Sequence, residues 1–389
     1  MKQRPNGSDN NKPLIAIILF VIISVSGLMF GVSTIHARTL SHTAVRARNP
    51  LSRQVVAYQQ SLVKELRPAP TLAALQYAYV ASAYSDALSK AGQPVGLIAA
   101  MSVMRVMYPL KTSVIQQETM LLAQQNHISM TLGQAIAKDV ADKYVQRYEH
   151  DGHDLVWDGK VPKGPGKWLK ITLADPFTPR AGEWQRWNVN QTIAVPAPPT
   201  YGGAEDKQQL AIVQDAVATR NGQDINLINF WGGTPGSETP AGIWQNELYK
   251  TTTADLPGTI LAADTQYALV QKDLAQTLSD AFMECWKVKY TYWTARPSMR
   301  IPGLATAMND PNFPGYISGH STISKAAADV LSALAPSHQS AWQAMASEAR
   351  QSRLKAGIHF DVDNAVGFQV GDEVGRQTIS RLQLKTIIN

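Results

Sequence analysis

Apolar residues recur at intervals of three and four along this chain, and that recurrence limits its folding more than any other feature. Tyr267, Val270, Leu274, Leu278 and Phe282 follow it over one long stretch. Ile136, Val140, Tyr144 and Val145 follow it in another, and Val366, Val370 and Val374 in a third. This interval lines up side chains on one face of an α-helix, whereas a half-buried strand needs a period of two. No segment alternates convincingly. The expected fold class is therefore all-α, a helical-bundle core. Helices are predicted over 71–91, 97–127, 131–148, 204–219, 241–249, 259–292, 320–334, 340–357 and 362–379.

One region interrupts the pattern. Residues 151–203 are rich in Gly, Pro and Trp and read as a long irregular insert, either a functional loop or a wrap over the helices. A shorter Gly/Pro cluster spans Phe230 to Pro240. Over 389 residues the chain is long enough for one large domain or two ordinary ones. Its formal charge of +6 is scattered, with no basic run, so a nucleic-acid footprint is not indicated. The single cysteine, Cys285, rules out an intramolecular disulfide and any Cys-rich zinc or iron–sulfur site. It stands beside Trp286 in an apolar helical pattern and reads as core.

The N-terminus reads as an export segment over 1–37. Lys2, Arg4 and Lys12 precede a charge-free apolar run over 13–32, long enough to span a bilayer as an anchor. Cleavage after Ala37 is the signal-peptide alternative. Arg38, Arg46, Arg48 and Arg53 on the far side weaken any positive-inside bias. The catalytic body, 38–389, is expected in the periplasm or outside the cell, touching a membrane only through this segment.

Three short motifs carry the chemistry. Lys289 and Arg296 lie seven residues apart, two helical turns, with Pro297 expected to end their helix. Both cation types suit a phosphate-like oxyanion. Ser318, Gly319 and His320 fall where the next helix should begin, offering free N–H groups, the positive end of a helix dipole, a hydroxyl and an acid–base side chain. Arg353 precedes His359 by six residues. His359 and Asp363 are four apart, a spacing at which the carboxylate can hold one ring nitrogen and leave the other free to ligate a metal or attack phosphorus. Asp361 competes locally for that role. Taken singly, each motif is commonplace: a solvated helix face, a three-letter match, a surface contact.

Taken together, their order, spacing and residue types resemble the family that joins vanadium-dependent haloperoxidases with type 2 phosphatidic acid phosphatases. The pattern there is Lys-x6-Arg-Pro, then Pro-Ser-Gly-His, then Ser-Arg-x5-His-x3-Asp. Ile317 stands where that family has Pro, a change of loop rigidity that removes no ligand. The likeness is tight over 280–375 and looser over 230–246, where Trp231, Pro240 and Trp244 are similar to positions of the haloperoxidase branch, as is the loop from Gly164 to Trp187.

The resemblance implies a helical fold of the vanadium haloperoxidase/acid phosphatase type and an oxyanion pocket holding vanadate, with phosphate able to occupy the same site. Lys289, Arg296 and Arg353 would neutralise equatorial oxygens. Ser318 and the Gly319 N–H would donate hydrogen bonds. His359, oriented by Asp363, would be the axial ligand to vanadium or the nucleophile of a phosphatase, and His320 the acid–base group. Trp286 and Phe313 are similar to aromatic positions of the halide site.

The implied activity is oxidation of halide by hydrogen peroxide to a hypohalous acid equivalent, with hydrogen peroxide and halide or a small organic substrate as partners; Lys289 would polarise the peroxide. The alternative is a soluble acid phosphatase working through a phosphohistidine. At most one membrane span argues against a bilayer-embedded lipid phosphatase. A degenerate oxyanion-binding relative is a third class, disfavoured because every ligand position is filled.

Overall fold

Helices built on the three-and-four spacing pack into a bundle around one central helix. The computed structural model describes residues 49–252 and 260–382. The expected export segment and its apolar run over 13–32 lie outside the described residues. Among the described residues there are thirteen α-helices and no strand, and no helix is long and apolar enough to cross a membrane. The described residues from Pro50 onward form one compact unit.

The first five helices are α1 (Leu51–Leu66), α2 (Pro70–Ala91), α3 (Gln93–Met107), α4 (Thr112–Gln125) and α5 (Gln134–Glu149). Then come α6 (Ala204–Ala218), α7 (Gly222–Phe230), α8 (Thr239–Thr252) and α9 (Ile260–Tyr292). The C-terminal group is α10 (Pro297–Arg300), α11 (Gly319–Leu334), α12 (Gln339–Lys355) and α13 (Asp361–Leu382). At 1.5 Å per residue α9 is roughly 50 Å long. It packs against α2 on one side and α11 on the other, and α11 is itself flanked by α12 and α13. Lys289 sits in the last turn of α9, so the helix that organises the bundle also delivers the first cation of the site.

Two expectations need correction. The single helix expected over 97–127 is two, because Pro109 opens a 3-10 turn over Pro109–Lys111 and cannot donate into a continuous helix. Pro297 does not end the helix of Lys289. That helix stops at Tyr292, Trp293 turns left-handed at φ 54°, and Pro297 occupies the first position of α10, where its fixed φ and missing N–H fit. Lys289 and Arg296 therefore do not share a helix; Arg296 reaches the site from extended backbone just before α10. Three helices fall outside the expected ranges, α1, α7 and the four-residue α10. The second carried a local signal: Asn221 and Asp224 form a reciprocal capping box at its start.

The irregular insert is bound to α9 along its length. The Asp280 carboxylate accepts the N–H groups of Trp187, Asn188 and Val189 at 2.8, 2.7 and 3.0 Å. Arg186 pairs with Glu284. The Phe177 carbonyl accepts from the Trp286 indole at 2.9 Å and from the Tyr290 hydroxyl at 2.8 Å. The backbone at Gly166 and Trp168 bonds to Ala295 and Trp293. Of the two readings of this segment, a wrap over the helices describes its backbone, while Phe177, Ile171 and Thr172 also line a chamber described below.

Helices α11 and α13 meet at close range. Gly367, Gly371 and Gly375 recur every fourth residue and form a bare stripe. A Cβ on Gly367 would lie 2.8 Å from the Ser318 carbonyl oxygen, and one on Gly371 only 2.3 Å from that of Thr322. The two backbones approach so closely that Ser318 N–H donates to the Asp363 carbonyl at 2.9 Å. The stripe thus brings the second motif against the third.

Replacing Gly371 by Ala should force α13 away from α11. The expected cost is about 1–3 kcal/mol, the usual penalty of overpacking, read as a lower denaturation midpoint. An unchanged midpoint would mean that the two helices do not meet this closely.

Candidate active site

Three cations meet in the interior. Lys289, Arg296 and Arg353 are each 0% exposed. Lys289 Nζ donates to the carbonyls of Pro314 and Gly315 at 3.0 and 2.7 Å. Arg296 spends its guanidinium on the carbonyls of Phe313, Pro314 and Ile358, and its Nη1 lies 3.0 Å from His359 Nε2. Arg353 donates from Nε to Ser352 Oγ at 3.0 Å, from Nη2 to the Ile228 carbonyl at 3.2 Å, and from Nη1 to the Met308 sulfur at 3.3 Å. These partners use three of the five N–H groups of Arg353 and two of the three on Lys289.

The second motif opens α11. Ser318 is the N-cap and its hydroxyl oxygen accepts from the Ser321 N–H at 3.4 Å. The N–H groups of Gly319 and His320 stand in the first turn, where no intrahelical acceptor exists. His320 Nε2 lies 2.6 Å from the Trp231 carbonyl. A carbonyl only accepts, so Nε2 carries the proton and Nδ1 keeps its lone pair. Burial, then the Arg353 charge, pushes His320 well below its usual range and keeps the ring neutral. Ile317 is wholly buried and donates nothing to the site.

The third motif follows α12. Gly357, at φ 74°, turns the chain out of that helix, and His359 falls between α12 and α13. Its Nδ1 donates to Asp363 Oδ2 at 3.0 Å, and the same oxygen accepts the Phe360 N–H at 3.1 Å. Asp363, not Asp361, is the partner; Asp361 pairs with Arg350. Burial pushes Asp363 up to about 6, leaving it ionised at neutral pH. Burial, then the Arg296 and Lys289 charges, hold His359 far below its usual range. Its Nε2 lone pair is therefore available, capped only by Arg296 Nη1.

A chamber of about 570 Å³ meets this cluster. Gly319, His320, Arg353 and His359 line it, as do Trp286 and Phe313. The Trp286 and Phe313 rings are 4.8 Å apart, and Lys289 Nζ sits 5.8 and 5.2 Å from their centres, within cation–π range. All ten residues singled out in the sequence thus belong to one neighbourhood.

What the sequence reasoning missed are mostly backbone groups: the carbonyls of Ile228, Trp231, Pro314 and Gly315. They leave no mark in residue type. Met308 was missed as well, since nothing in its surroundings in the sequence connects it to Arg353.

The charge balance decides what this neighbourhood can hold. Arg296 and Arg353 are charged at neutral pH, although burial pushes Arg353 down to about 9. Burial brings Lys289 down to about 7. Asp363 and, on the Arg296 side, Asp310 oppose them. Each buried and undercompensated charge costs several kcal/mol. Among the described residues no group of three His, Cys, Asp or Glu side chains could hold a cation. The spare donors and the positive balance fit a tetrahedral oxyanion carrying two or three negative charges, vanadate or phosphate alike.

Binding of such an anion should depend on the Lys289 proton. Without an anion, Lys289 loses its proton as pH rises through about 7, whereas the anion favours the protonated form. Above that pH, binding takes up one proton, so affinity should fall by up to about tenfold per unit. Tungstate, whose charge is constant over this range, is the suitable probe in calorimetric titration. Lys289→Met should bind more weakly and with a flat pH profile; a steep profile in that variant would assign the proton elsewhere.

Comparison with solved structures gives the fold. A bacterial vanadium-dependent iodoperoxidase superposes with a TM-score of 0.72 at 18% identity, covering 87% of this chain and 98% of that one. A bacterial vanadium-dependent chloroperoxidase in its holo form gives 0.63 at 12% identity, over 80% of this chain and 92% of that one. Its apo form gives 0.64 at 12%, over 80% and 93%. No protein-family model matches the sequence, and no curated protein matches it. The described helices, from the central α9 to the α11–α13 pair, have the all-α fold of the vanadium-dependent haloperoxidases.

Proposed function

We propose that this protein is a vanadate-dependent haloperoxidase, oxidising halide with hydrogen peroxide to a hypohalous acid equivalent. The observation that carries the reading is the junction of two environments: a buried cationic cradle opening onto an aromatic chamber at Trp286 and Phe313. Similarity to a bacterial iodoperoxidase and a bacterial chloroperoxidase supports it. When bound, vanadate supplies Lewis acidity that activates peroxide toward attack by halide.

The chain's own residues divide the remaining work. Arg296, Arg353 and protonated Lys289 neutralise the anion's oxygens, and the Ser318 hydroxyl and Gly319 N–H donate to them. His359 would hold the metal through its Nε2 lone pair, which faces Arg296 Nη1 at 3.0 Å. Asp363 holds the opposite nitrogen and fixes that tautomer. His320 Nδ1 is the free base, since the Trp231 carbonyl occupies the Nε2 proton. Lys289 keeps one N–H beyond those given to Pro314 and Gly315, and this one would polarise peroxide. The desolvated aromatic wall formed by Trp286 and Phe313 suits a weakly hydrated halide.

A phosphatase remains the second reading, because His359 and Asp363 would serve equally as nucleophile and orienter and phosphate asks for the same donors. Export through the N-terminal segment completes the proposal, placing the catalytic body where peroxide and halide are met outside the cytoplasm.

With vanadate, peroxide and bromide, the purified protein should brominate a phenolic dye and leave a chromogenic phosphate ester intact. Phosphatase activity abolished by vanadate would reverse the order of the two readings. His359→Ala should lose both vanadate retention and turnover. His320→Ala should retain vanadate and lose about 100-fold or more in rate, the usual share of a general acid–base group. Failure of that variant to bind vanadate would contradict the division of roles.

A further inference from the structure

One nucleophilic side chain in the chamber has no part in the chemistry above. Met308 lies in the segment between α10 and α11, half-buried, and lines the same chamber as His320 and His359. Its thioether sulfur is 3.3 Å from Arg353 Nη1, so it touches the cradle itself. A sulfur is an unusual acceptor for a fully buried guanidinium. It is weak and polarisable, and it leaves Arg353 loosely held on that side. Thioethers are also among the side chains most readily oxidised.

We infer that Met308 is a site of self-oxidation, converted to methionine sulfoxide by hypohalous acid generated in the chamber, and that this change limits the working life of the site. The inference rests on the haloperoxidase reading, which supplies the oxidant. The sulfur lone pair takes the halogen from HOX and releases hydroxide. Water then adds to sulfur and halide leaves. The net change converts thioether and HOX into sulfoxide, halide and a proton. Sulfur loses two electrons, and halogen goes from +1 to −1.

The product alters the cradle. A sulfoxide oxygen is a far stronger acceptor than a thioether sulfur and reaches further from the chain. It would compete with the bound anion for Arg353 Nη1, weakening anion retention. Methionine sulfoxide is reducible, so the change is reversible in principle.

Exposure provides an internal control. Met120 is 58% exposed on α4 and, being surface-facing, should react first with oxidant arriving from solution. Oxidant formed in the chamber should strike Met308 first. The experiment is peptide mass spectrometry of the vanadate-loaded protein after a few hundred turnovers with peroxide and bromide, with free methionine present to scavenge escaping hypobromous acid.

Met308 should be mostly sulfoxide while Met120 stays reduced, and the order should reverse when hypobromous acid is added from outside without vanadate. Tungstate affinity of the oxidised protein should fall severalfold. Met308→Leu, close in volume, should keep its tungstate affinity through the same treatment and survive severalfold more turnovers.

Bromide oxidation with Met308 no more oxidised than Met120 would overturn this inference and leave the haloperoxidase reading intact. Oxidation of Met308 without loss of tungstate affinity would overturn its functional half. Absence of any bromide oxidation would overturn both, since no oxidant would form.

Discussion

The structure turns on positive charge held in the interior with too little negative charge to balance it. Lys289, Arg296 and Arg353 are fully buried, and the carboxylates that oppose them are Asp363, already committed to His359, and Asp310, held by Ser298. Most proteins avoid this arrangement because desolvating an ion costs more than its neighbours return. Here backbone carbonyls absorb part of that cost, from Phe313, Pro314, Gly315, Ile228 and Ile358. The remainder is a standing demand for an anion. That demand, more than any one motif, gives the site its chemical character.

Meeting it requires backbone placed with unusual closeness, and the fold achieves this in two ways. The glycine stripe of α13 lets α11 approach until Ser318 and Asp363 share a hydrogen bond, joining the helix N-terminus of one motif to the His–Asp pair of another. The long insert is fastened to α9 by Asp280, Glu284 and the Phe177 carbonyl. It walls the chamber beside Trp286, so the cradle opens onto aromatic surface. The two features are independent in sequence and meet through α9, which carries Lys289, Trp286 and Asp280 on one continuous helix.

Much of this was legible in the sequence, for physical reasons. A period of 3.6 survives in any amphipathic helix, so α2, α5, α9 and α13 could be read directly. The His359–Asp363 spacing predicts a hydrogen bond that the geometry contains. The helix expected from His320 starts one residue earlier, at Gly319, with Ser318 as its N-cap. What escaped depends on three-dimensional closure. Arg296 was placed on the wrong element because nothing local announces that Trp293 turns left-handed. The glycine stripe was overshadowed by the valines beside it, since the absence of a side chain leaves no hydrophobic signal. The carbonyls that satisfy the cations, and the sulfur of Met308 against Arg353, come from segments whose approach only the packing defines.

Calorimetric titration of the purified protein with orthovanadate at pH 7, with vanadium analysis of the product, tests the central claim most directly. The account predicts one vanadium per chain, released competitively by phosphate, and a marked rise in thermal stability as the buried positive charge is neutralised. Binding that is absent, or that leaves stability unchanged and persists when Arg353 is replaced by Met, would contradict it.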